Sequence, residues 1–124
     1  MKLSEKITAE LEGLKKISGY MCTNVVNYRQ AVPAANEGSD PEDPANFQAR
    51  QCSAFIKAVT DSLTNLRGGR PREIIINAEN MTMVMRIVDH TYFCGVGLSP
   101  GGDVENARAE LEKIGRVFLA EVMS

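Results

Sequence analysis

The spacing of apolar residues changes period several times along this chain, and each change marks an element. Leu3, Ile7, Leu11 and Leu14 recur every three or four residues within LSEKITAELEGLKKISG, which predicts an amphipathic first helix. Ser4 is placed to cap it and Gly19 to end it. Lys15 and Lys16 fall in its last turn, where positive charge suits the helix dipole. Tyr20–Val26 reads as a strand, NYRQ as a turn and AVPAA as a short returning strand. Pro33 has no N–H to give to a ladder, so that return belongs at a sheet edge. The segment NEGSDPEDPAN carries Glu37, Asp40, Glu42 and Asp43, and is expected to form an exposed acidic loop over 36–44.

The period returns to that of a helix in FQARQCSAFIKAVTDSLTNLRGG. Cys52, Phe55, Ile56, Val59, Leu63 and Leu66 make its stripe, and Gly68 and Gly69 are expected to stop it. REIIINAENMTMVMRIVDHTYFCGVGL then reads as a three-strand meander, with EN and DH as two-residue hairpin gaps. Met81, Met83, Met85 and Ile87 share one face of the middle strand; Thr82, Val84, Arg86 and Val88 share the other. Both faces are partly apolar, so the sheet is expected to be covered on each side. Val104, Ala107, Leu111, Ile114, Phe118 and Val122 stripe the last helix, with Asp103 at its N-cap.

These elements predict a single α/β (α+β) sandwich domain over 1–124, in the order α-β-β-α-β-β-β-α. The expected sheet is five-stranded and mainly antiparallel, with helix two on one face and helices one and three on the other. Length agrees with one domain. A net charge of -2 gives no argument for nucleic acid or an anionic membrane surface. No apolar run is long enough to span a bilayer, and the charged N-terminal stretch has no apolar signal region. Cys22, Cys52 and Cys94 are odd in number and lie in apolar stretches, which predicts reduced core thiols and a cytoplasmic setting.

The candidate chemistry is sparse. SPGGD, between a strand and a helix, has the general shape of a phosphate loop. Yet Gly95, Gly97, Gly101 and Gly102 match neither phosphate-binding glycine pattern, and Asp103 and Glu105 put negative charge at the helix start. His90, the one histidine, is predicted in a hairpin turn; four strand residues separate it from Cys94, roughly 13 Å of rise, too far for a nucleophile pair. No array of ligands with metal spacing occurs. Glu110 and Glu112 read as solvated helix residues. LRGGRPR gathers Arg67, Arg70 and Arg72, either a helix end with its turn or a positive rim for a partner protein. EIIINAE is strongly strand-prone; at a sheet edge, pairing with its own copy would cover its open backbone groups and bring helix two beside its twin.

The second half, REIIINAENMTMVMRIVDHTYFCGVGLSPGGDVENARAELEKIG, resembles the roadblock/LC7 family. The resemblance rests on the tight meander, the small-residue strand end GVGLSPGG and the helix opening DVENARAELEK, and the predicted element order agrees across nearly the whole chain. It implies a homodimer or heterodimer joined through the third strands near Ile74–Ile76, with the second helices together on one face. Phe55, Val59, Ser62, Leu66, Ile74, Ile75 and Ile76 would then form the dimer interface. It further implies no catalytic residues, cofactor or metal, and a Ras-like small GTPase or a multiprotein complex as partner. GTP hydrolysis would be assisted by reshaping the GTPase rather than by donating an arginine. The surface offered to that partner would include Gln51, Lys57, Asp61 and Asn65 on helix two, with Arg67, Arg70 and Arg72 after it. The alternatives are a structural adaptor in a larger assembly, and a small-molecule sensor or enzyme centred on His90, Tyr92 and Cys94.

Overall fold

A computed structural model of the chain describes residues 5–37 and 47–122. Its elements are α1 (Glu5–Leu14), β1 (Tyr20–Asn27), β2 (Val32–Glu37), α2 (Phe47–Asn65), β3 (Glu73–Asn77), β4 (Thr82–Ile87), β5 (Tyr92–Leu98) and α3 (Val104–Val122). Leu3, Ser4 and most of the predicted acidic loop lie outside the described residues; Asn36 and Glu37, expected in that loop, belong to β2.

The sheet has five strands and is wholly, rather than mainly, antiparallel. Every pairing is antiparallel, in the order β2-β1-β5-β4-β3. β2 is an outer strand appended to β1, and its register breaks opposite Val25/Val26, where Val25 pairs with Ala35 and Val26 with Pro33. A bulge on an edge strand is a place where a proline's missing donor is tolerated.

The alternation read from the sequence sorts the two faces. Val25, Val84, Cys94, Val96 and Leu98 meet the apolar stripes of α1 and α3. Val26, Met85, Phe93 and Ile74 meet Ala49, Cys52 and Ile56 of α2. Lys113 of α3 reaches Glu10 of α1 at 3.3 Å across the first layer.

Several boundaries differ from expectation for local reasons. α1 stops at Leu14; Lys15, Lys16 and Ile17 donate to carbonyls three residues back, so both lysines lie in turns beyond the helix. α2 is stopped by Arg67, not by a glycine. Its φ is 58°, its N–H donates to Thr64 O at 3.1 Å, and Gly68 N–H donates to Leu63 O at 2.8 Å. This is a Schellman ending with arginine in the left-handed position. The β3–β4 turn holds two residues, closed by Ala78 N–H on Met81 O at 2.9 Å. The β4–β5 turn holds three, Asp89, His90 and Thr91, between Val88 and Tyr92. Asp89 Oδ1 accepts from the N–H of Thr91 (2.8 Å) and of Tyr92 (2.7 Å), which supplies the turn that a two-residue gap would have needed from glycine.

Candidate functional site

β3 ends the sheet with one side unpaired. Ile87 N–H donates to Arg72 O, and Ala78 N–H to Met81 O; these two bonded pairs flank β3 and set its alternation. Arg72, Ile74, Ile76 and Ala78 therefore turn their backbone groups toward β4, and Glu73, Ile75 and Asn77 turn theirs to the open edge. β3 has no proline, lysine or bulge, the usual devices that block strand addition. Ile75 is 43% exposed at its centre.

The side chains on β3 divide by parity. Ile74 is buried and Ile76 half-buried against the α2 layer. Glu73 lies on the opposite face, where its carboxylate accepts from Arg108 Nε of α3 at 2.9 Å, with Arg86 at 4.0 Å. Of the three isoleucines expected at a dimer seam, only Ile75 combines an exposed side chain with edge-facing backbone.

α2 covers the sheet with its Ala49, Cys52 and Ile56 face and leaves the other outward. Phe55, at 38% exposure, stands there with Gln51, Ala54, Ala58 and Ser62. A ring among small side chains on one helix face suits close approach of a second helix. Val59 instead packs toward the sheet, and Leu66, 77% exposed, lies just past the last helical residue. Lys57 and Asp61 pair with each other at 2.9 Å along the helix surface, so both charges reach a partner already compensated. Gln51 and Asn65 are exposed. Arg67 and Arg72 extend from the segment between α2 and β3, whereas Arg70 is turned back onto His90, with Nη1 3.1 Å from Nε2.

The remaining sequence candidates separate in space. Cys94 is fully buried under α1 and α3, its thiol pushed up to about 12 by desolvation, while His90 is exposed at the sheet end. Tyr92 packs on Phe118 in the first layer, with ring centres 5.1 Å apart. These three do not converge. The SPGGD amides are engaged internally. Ser99 N–H donates to Gly19 O, Gly102 N–H to Ser99 O, Asp103 N–H to Ser18 O, and Asn106 N–H to Asp103 Oδ1. The turn thus anchors α3 to the residues after α1, and the amides of Ser99, Gly102 and Asp103 are already engaged. Among the described residues, no three His, Cys, Asp or Glu side chains are grouped to hold a metal, and no helix is long and apolar enough to cross a membrane. Sequence reasoning missed Arg29, whose Nε donates to His90 O at 2.8 Å from 61 residues away; no local signal marks such a contact.

No protein-family model matches the sequence, and neither does any curated protein. Solved structures match the fold. A roadblock/LC7 domain from Streptomyces avermitilis superposes with a TM-score of 0.83 at 12% identity, covering 100% of both chains. MglB from Myxococcus xanthus gives 0.80 at 13% identity over 94% of this chain and 97% of that one. MglC from Myxococcus xanthus gives 0.61 at 19% identity over 93% and 98%. The chain has the roadblock/LC7 fold.

Proposed function

We propose that this protein is a non-catalytic, dimeric binding platform for a Ras-like small GTPase, pairing two copies through β3 and the outward face of α2. The observation that carries this reading is the coincidence of an unprotected edge at Ile75 with an unpartnered helix face at Phe55, in a chain with the roadblock/LC7 fold. Ladder hydrogen bonds across the two-fold axis would satisfy the open groups of Glu73, Ile75 and Asn77, and the paired helices would remove Phe55 from water. The partner class is the one that the family resemblance implies. Gln51 and Asn65, with Arg67 and Arg72 beyond the helix, supply exposed polar groups beside the proposed seam. A platform that binds one nucleotide state more tightly shifts the GTPase population by that difference in affinity.

The test has two steps. Light scattering should give a mass twice that of one chain. The tagged protein is then exposed to source-cell lysate loaded with GDP or with a non-hydrolysable GTP analogue, and the retained proteins are identified. Retention of a small GTPase in one nucleotide state supports the proposal. Retention of the same non-GTPase proteins in both lysates points to an adaptor instead, and a monomer in the first step removes the proposed surface.

A further inference from the structure

The β1–β2 turn, the β4–β5 turn, the segment leading into β3 and the side of α2 line an open cavity of about 350 Å³. Ile56, Ile87 and Pro71 are its apolar part, with Thr60 and Tyr28 beside them; the exposed Arg29, Arg70 and His90, and the carboxylate-bearing Asp89, complete the lining. The volume falls in the range that encloses small organic ligands.

The two guanidiniums are held by one residue. Arg29 Nε donates to the backbone carbonyl of His90 at 2.8 Å, and Arg70 Nη1 lies 3.1 Å from the Nε2 of its ring. These contacts leave further N–H donors on each arginine. Among the described residues, neither arginine has a carboxylate within ion-pair distance. The acid nearest to hand, Asp89, has its Oδ1 engaged by the amides of Thr91 and Tyr92. Tyr28 anchors the wall by donating its hydroxyl to Asp89 O at 2.7 Å. Two positioned guanidiniums, neither in an ion pair, beside an apolar surface match an anion attached to an apolar body.

We propose that this cavity binds a small organic anion, with Arg29 and Arg70 gripping its carboxylate or phosphate and Ile56, Ile87 and Pro71 receiving its apolar part. Neither arginine lies on β3 or on the outward face of α2.

Phenyl phosphate and benzoate are suitable probes, because each joins one anionic group to one ring. The full-length protein, labelled with ¹⁵N, is titrated with each and followed by amide chemical shifts. Saturable shifts confined to the turns around Tyr28, Arg29, Arg70 and His90 are expected, and whichever probe binds tighter identifies phosphate or carboxylate as the preferred group. The Arg29→Gln/Arg70→Gln double variant should weaken binding at least about tenfold, as loss of charge-assisted hydrogen bonds requires. Arg116→Gln, on α3 and outside the cavity, should leave it unchanged. Unaltered amide shifts elsewhere in the double variant establish that it is folded. Absence of saturable shifts with both probes overturns the proposal, as would binding that survives the double substitution; the cavity would then be left to a macromolecular partner or to none.

Discussion

Asn24 on β1 and Gly95 on β5 are cross-strand neighbours, and a Cβ on Gly95 would stand 2.7 Å from Asn24 Oδ1. Missing that side chain, Gly95 lets the buried amide of Asn24 lie flat on the sheet beneath α2. From there its Nδ2 reaches Gln48 Oε1 at 3.5 Å and Cys52 Sγ at 4.0 Å. Phe93 Cε2 would also be 3.2 Å from the added carbon. Gly95→Ala is therefore expected to destabilise the fold by about 1–3 kcal/mol, the usual range for overpacking, measured as a lower urea midpoint.

The left-handed positions predict the opposite sign for glycine. Ala31 in the β1–β2 turn (φ 57°) and Arg67 after α2 (φ 58°) both carry a Cβ where glycine is favoured. Ala31→Gly and Arg67→Gly should each stabilise by roughly 0.5–1 kcal/mol, after the added freedom of the unfolded chain is set against the relieved strain. Thermal unfolding of each variant checks this, and a lower Tm in both would contradict it.

Burial gives the thiols a pH signature. Desolvation pushes Cys94 up to about 12 and Cys52 up to about 11, the latter against the opposing hydrogen bond from Asn24. A raised folded-state value means that the native protein holds these protons more tightly than the unfolded chain does. Their contribution to stability is complete below the ordinary thiol range, near pH 8.5, and is lost as pH rises through about 11 to 12. The urea midpoint should fall between pH 8 and pH 10. In native protein at pH 8, a thiol reagent should modify half-buried Cys22 well before Cys52 or Cys94, and denaturant should abolish the difference.

Parity along β3 separates assembly from folding. Ile75 turns its N–H to the open edge, so Ile75→Pro should leave the β4 ladder in place and shift the chain toward monomer. Ile75→Lys provides the same test without constraining φ. Ile74→Pro removes an N–H that faces β4 and disturbs a buried side chain, so it should lower stability outright. Light scattering and circular dichroism on the three variants read the two effects independently.

Much of the layer arrangement was legible because its signal is local. The alternation of Met81–Val88 sorted its side chains to two faces, and the helical stripes marked the buried face of each helix. Asp103 was identifiable as a cap from its position alone, and Asn106 N–H confirms it at 3.1 Å. The candidate interaction surface was only half legible: EIIIN signalled an adhesive strand, but which isoleucine faces outward depends on the register with β4.

The sequence by itself determined the periods, hence which residues are apolar partners within a helix or strand, since those patterns arise from the geometry of neighbouring peptide units. Tertiary structure decided that β2 and β3 are the two edges of the sheet, and that Arg67 rather than glycine ends α2. It also placed Arg29 and Arg70 on the same histidine from 61 and 20 residues away. Such contacts follow from how whole elements pack and pair, and no short-range pattern in the chain encodes them.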